Sequence, residues 1–128
     1  MKKLLLTNLF LAAFIAYSFG QYQEKPWVDK KTGEFTAATN KHSYFRVFGY
    51  EKADTNSRKL ICISVFTDDV DKNKYKCPLG AYYGNIGFTK GEAIFYISTM
   101  GEFAKFKFVD ATKKETIIYM LKKLIDFE

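Results

Sequence analysis

Thr112-Lys113-Lys114-Glu115-Thr116-Ile117-Ile118-Tyr119-Met120-Leu121-Lys122-Lys123-Leu124-Ile125 is the stretch whose reading decides the fold class. Thr112 followed three residues later by Glu115 has the form of a capping box, in which hydroxyl and carboxylate satisfy the first free amides of a helix. Ile117, Ile118, Leu121, Leu124 and Ile125 then recur at one-, three- and four-residue steps, as an apolar helical stripe does. Lys122 and Lys123 stand near the C-terminal end, where the helix dipole favours positive charge. The spacing predicts an amphipathic C-terminal helix. A helix this short is marginal alone, so it is expected to pack on a sheet.

Upstream, three extended runs supply that sheet. Ala81–Phe88, Ala93–Ser98 and Phe103–Val109 are separated by Thr89-Lys90-Gly91-Glu92 and Thr99-Met100-Gly101-Glu102, each with a glycine where a short hairpin turn needs positive φ. In the last run Ala104, Phe106 and Phe108 alternate with Lys105 and Lys107, so one face is apolar and the other wet. Further back, Tyr44, Arg46, Phe48 and Tyr50 fall on one side of a strand, with Phe45, Val47 and Gly49 on the other. Lys59–Phe66 is apolar on both faces and rich in β-branched residues, which suits a doubly covered strand. The expected architecture is α+β: an antiparallel sheet of about five strands, with a meander over 81–109 and the C-terminal helix across one face. Residues 21–41 read as a loose hairpin or a flap laid over the core by Trp27. Thr67–Leu79 reads as charged and irregular.

The N-terminus has the three parts of an export signal. Lys2 and Lys3 precede an apolar run from Leu4 to Tyr17, and Ser18-Phe19-Gly20 presents small residues at the positions a signal peptidase inspects. The expectation is a signal peptide over 1–20 and one small exported domain over 21–128, secreted or periplasmic, with no membrane association after cleavage. The formal net charge is +6. The basic residues are spread along the chain and only Arg46 and Arg58 follow the leader as arginines, whereas a nucleic-acid reader clusters them. Nucleic acid is therefore not an expected partner. A solvated basic surface is the plain reading, and contact with an acidic envelope polymer the alternative.

Cys62 and Cys77 form an even pair in an exported chain, which favours a disulfide closing a loop of about fifteen residues, worth ~3 kcal/mol in the chain-entropy model. The alternative is a buried free thiol at Cys62. No metal or cofactor is expected, because one histidine and two cysteines do not make a ligand set. Asp69-Val70-Asp71-Lys72-Asn73 opens like an oxygen-ligand calcium loop but has Lys74 where the tight turn needs glycine. His42, beside Ser43, lacks any nucleophile-elbow context, so the chain is not expected to be an enzyme.

Aromatic residues are the one compositional excess, with 13 phenylalanines, nine tyrosines and one tryptophan. Tyrosines on strands near polar partners offer a flat apolar ring and a hydrogen bond together, which suits sugar or peptide recognition. The candidate ligand-binding residues are Tyr44, Arg46, Tyr83, Asn85 and Tyr96. The expected function is a non-enzymatic exported binding or interaction domain using an aromatic-bearing sheet surface, with an envelope glycan, peptide or protein as partner. A small cell-envelope enzyme or enzyme inhibitor is one alternative, and a structural component pairing through a sheet edge is another.

Overall fold

The C-terminal segment is a strand, not a helix. In the computed structural model, which describes residues 25–37 and 44–127, Glu115–Leu121 (β8) pairs along its whole length with Phe103–Val109 (β7). Asp110 decides the outcome. Its Oδ1 accepts hydrogen bonds from the Thr112 amide at 2.8 Å, the Thr112 hydroxyl at 2.7 Å and the Lys114 amide at 2.9 Å. The hydroxyl that a capping box needs is thus spent on a hairpin turn, and Lys113 takes a left-handed φ of 73° within it. The Thr116-Ile117-Ile118 run is stiff at χ1 and better suited to a pleated surface than to a helix. Burial then alternates with period two, since Ile118 and Met120 are fully buried while Ile117 is 39% exposed. The expected α+β class, with its packed C-terminal helix, is therefore replaced by a mostly β fold of nine strands in two mixed sheets, with one short α-helix among the described residues.

The larger sheet has six strands. Arg46–Tyr50 (β3) and Lys59–Ser64 (β4) pair antiparallel. Ala81–Tyr83 (β5) then adds to β4 in parallel, at the sheet edge. A parallel neighbour needs a crossover connection, and the short helix α1, Thr67–Asp71, lies in it. Ala93–Met100 (β6) forms a hairpin with β7. The strand order is β5-β4-β3-β8-β7-β6. The three-strand meander is consequently 93–121, not 81–109, because β5 and β6 sit at opposite edges. The β6–β7 turn, Gly101-Glu102, has glycine at φ 62° in its first position, as a two-residue hairpin loop of this kind requires.

Trp27–Val28 (β1) and Phe35–Thr36 (β2) form the hairpin read in the N-terminal segment, and Asp126–Phe127 (β9) adds to β1 in parallel. This small sheet covers the inner face of the large one. Val28, Phe35 and Ile125 enter the core, with Trp27 only half-buried. They meet Val47, Ile61, Ile63, Ile94, Phe106, Phe108, Ile118 and Met120. Gly49 is required at its position, because a Cβ there would lie 2.5 Å from Ile61 Cγ2 and 2.9 Å from Ile118 Cδ1. Strands four places apart in a flat sheet would be separated by about 19 Å. Yet the rings of Tyr82 on β5 and Phe108 on β7 have centroids 6.4 Å apart, with Phe88 wedged against both. The sheet is therefore curled around its inner face.

Candidate functional site

The outer face of the large sheet carries the most organised polar chemistry of the described residues. Arg46, Ser64 and Tyr83 lie side by side across β3, β4 and β5, because Arg46 pairs with Ser64 and Ser64 with Tyr83. Over this row sits α1, and its Asp69 points into the sheet with only 1% of its side chain exposed. Arg46 Nε donates to Asp69 Oδ2 at 2.7 Å, and Nη2 donates to Oδ1 at 3.2 Å. The Ser64 hydroxyl donates to Oδ2 at 2.7 Å while accepting the Phe66 amide at 3.0 Å. Burial works against the Asp69 carboxylate, but the hydrogen bonds from Arg46 and Ser64 outweigh it and hold the pKa below its ordinary value. The guanidinium is raised in turn, chiefly by its hydrogen bond to Asp69.

Around this ion pair runs a continuous series of rings and cations. The Arg46 guanidinium lies 5.3 Å from the Phe66 ring centroid and 5.5 Å from that of Tyr75. Phe66 is 6.5 Å from Tyr44, which is 82% exposed. Tyr75 stands edge-on to Phe48 at 4.8 Å. Lys59 Nζ lies 5.2 Å from the Phe48 centroid and 5.8 Å from that of Tyr50. Each cation–ring contact is worth ~0.5–1 kcal/mol where exposed and about 2 where desolvated. Arg46 keeps 38% of its side chain in solvent, and its Nη1 makes no hydrogen bond within the described residues. The pair with Asp69 fixes the fork through Nε and Nη2.

The structure brings together three of the five candidate residues. Tyr44, Arg46 and Tyr83 share the α1-covered face, and the Tyr83 hydroxyl donates to Asp71 Oδ1 at 2.6 Å, which raises the phenol pKa. Asn85 is exposed in the turn after β5. Tyr96 belongs to the opposite face, where its ring packs on Phe106 at 5.8 Å and Phe127 at 5.3 Å. Five further residues, Lys59, Phe66, Asp69, Lys74 and Tyr75, complete the face. The available signal for them was Arg46 itself, since a strand cation flanked by Tyr44 and Phe48 needs a carboxylate to offset its desolvation.

Cys62 and Cys77 are two free buried thiols, where the sequence reading expected a bridge. Cys62 lies opposite Phe48 on the covered face, as a buried free thiol. Burial, and next the neighbouring Cys77, push its pKa up to about 12; burial also raises that of Cys77. A thiol in that state is protonated at neutral pH and a poor nucleophile. The acidic stretch 69–73 is not a calcium loop, because its first carboxylate is spent on Arg46 and Ser64. Among the described residues no group of three or more His, Cys, Asp or Glu side chains could hold a metal, and no helix is long and apolar enough to cross a membrane. Residues 1–20, where the export signal was read, and His42 lie outside the described residues.

No protein-family model, curated protein or solved structure matches this chain. Among the described residues, two clefts compare with the outer face. One, of about 170 Å³, lies on the inner side between Glu34, Phe35, Tyr82, Phe88 and Glu92. The other, of about 340 Å³, is an open groove beside Gly101, Glu102 and Leu121–Lys123. Pockets that bury drug-sized ligands have volumes of ~300–1,000 Å³. The first falls below that range, and the second has no converging polar groups beyond surface lysines and one glutamate.

Proposed function

We propose that the protein is an exported, non-enzymatic binding or interaction domain whose contact surface is the cation–aromatic face built on β3 and α1. The observation that carries this reading is the half-exposed Arg46, held between the Phe66 and Tyr75 rings by a buried carboxylate, beside the exposed Tyr44 ring. A rigid ring costs little entropy to immobilise, and a cation fixed from behind is pre-organised for a partner. The face is thus built before the ligand arrives. A structural role through edge pairing is less well supported. The free edge strand β6 is bulged between Tyr96 and Ser98, and the turn at Gly33–Glu34 takes part of its edge, with the Tyr96 amide donating to Gly33 O at 2.8 Å. Bulges and short covered edges are devices that suppress such pairing. The opposite edge, β5, has only three residues.

The test is a binding screen against envelope glycans and peptides, followed by Tyr44→Ala and Phe66→Ala in protein whose fold is checked by circular dichroism. Both side chains are exposed, so stability should change by no more than about 0.5–1 kcal/mol. Binding should weaken about tenfold or more in each variant, the effect expected of an aromatic contact residue. Full retention in both, with loss on Ile117→Ala on the uncovered half of the sheet, would overturn the assignment.

A further inference from the structure

Tyr75 is the point on which the positive charge of the outer face converges. Its ring centroid lies 5.5 Å from the Arg46 guanidinium, 6.0 Å from Lys59 Nζ and 5.7 Å from Lys74 Nζ. Among the described residues only two ion pairs exist, Arg46–Asp69 and Lys107–Glu115. Among the described residues neither Lys59 nor Lys74 forms an ion pair within 4.0 Å, although Lys74 helps to hold the nearby Asp69 carboxylate ionised. Two ammonium groups and a guanidinium gathered on one ring concentrate positive charge there, and an anion placed among them is favoured. The arrangement requires flat apolar surface and negative charge in the same ligand.

We infer that the partner of this face is an acidic polysaccharide whose sugar faces lie on Tyr75 and Phe66 and whose carboxylates are held by Lys59, Lys74 and Arg46 Nη1. The inference rests on the binding reading above and names its ligand class. An acidic peptide would meet the charge but would ordinarily be taken up by a sheet edge or groove, and here the rings and cations stand on a sheet face. Nucleic acid would meet both requirements, but its readers carry clustered arginines for bidentate phosphate contacts, and this face holds a single arginine.

The probe is an oligogalacturonate, compared with its methyl ester, which keeps the sugar ring and removes the charge. Affinity is measured with the full exported chain by calorimetry at two salt concentrations, alongside polyglutamate and single-stranded DNA. The acid should bind about tenfold or more tighter than the ester, the worth of one charge-assisted hydrogen bond. It should weaken with salt, and lose affinity in Lys74→Gln and Lys59→Gln. Lys74 is exposed, so Lys74→Gln tests the charge without risk to the fold. Equal binding of acid and ester would overturn the inference, as would polyglutamate or DNA binding as tightly as the glycan. A different ligand whose binding depends on Tyr44 and Phe66 but not on Lys59 or Lys74 would overturn it while leaving the binding reading intact.

Discussion

Ile118→Ala is expected to destabilise the protein by about 2–5 kcal/mol, and Ile117→Ala by no more than about 1. The two residues are adjacent and chemically identical, so propensity and composition cancel in the comparison. Ile118 is fully buried, lies opposite Phe106 on β7 and is in contact range of the Gly49 backbone, whereas Ile117 faces outward opposite Lys107. Deleting the Ile118 side chain leaves a cavity in a closely packed layer, which adds to the lost transfer energy. In a helix with the stripe first read, both residues would be buried and both alanines costly. Chemical denaturation of the two variants measures the difference. Equal losses would mean that 115–121 is not a strand.

Arg46→Ala is expected to cost about 3 kcal/mol, the lower end of the range for removing one partner of a buried ion pair, because Arg46 is partly hydrated while Asp69 is not. The variant should also weaken the acid dependence of stability. In the native protein the Asp69 pKa is depressed, so its contribution is present above the ordinary carboxyl range near pH 4 and is lost as pH falls through the lower folded value. Without Arg46, only the Ser64 hydrogen bond and Lys74 oppose burial, so the folded pKa moves up and the stability that Asp69 contributes above the carboxyl range shrinks. Stability measured from about pH 3 to pH 7 should therefore rise in the native protein and rise less in the variant. Parallel curves would show that Asp69 does not depend on Arg46.

The period-two signals in the sequence were reliable where nothing competed with them. Ala104, Phe106 and Phe108 are buried and alternate with lysines, as read. Lys59–Ser64 is covered on both faces, with Ile61, Cys62, Ile63 and Ser64 all buried. At 112–125 two periods fit the same residues. Ile117, Ile118, Leu121, Leu124 and Ile125 satisfy a helical stripe, while Thr116, Ile118 and Met120 satisfy a strand. The deciding group, the Asp110 carboxylate, lies before the supposed cap and acts through a turn that no spacing rule of that stretch displays. The placement of β5 was illegible for another reason. Its partner, β4, is non-local and parallel, so a crossover takes the place of the expected hairpin with 93–98. Arg46 stood out from its flanking rings, and Tyr44 with it. Tyr75, Lys74 and Asp69 could be joined to them only by folding α1 and its following loop back over β3, a tertiary event that local pattern does not encode.

Amide chemical-shift mapping on titration with the acidic oligosaccharide tests the proposed surface most directly. The account predicts shifts concentrated at residues 44–48, 59, 66 and 74–75, the strand, helix and loop positions that surround Arg46 and Tyr75. Shifts concentrated instead at Tyr82, Phe88 and Glu92 around the inner cleft, or at Ile117–Leu121 on the uncovered half of the sheet, would contradict it.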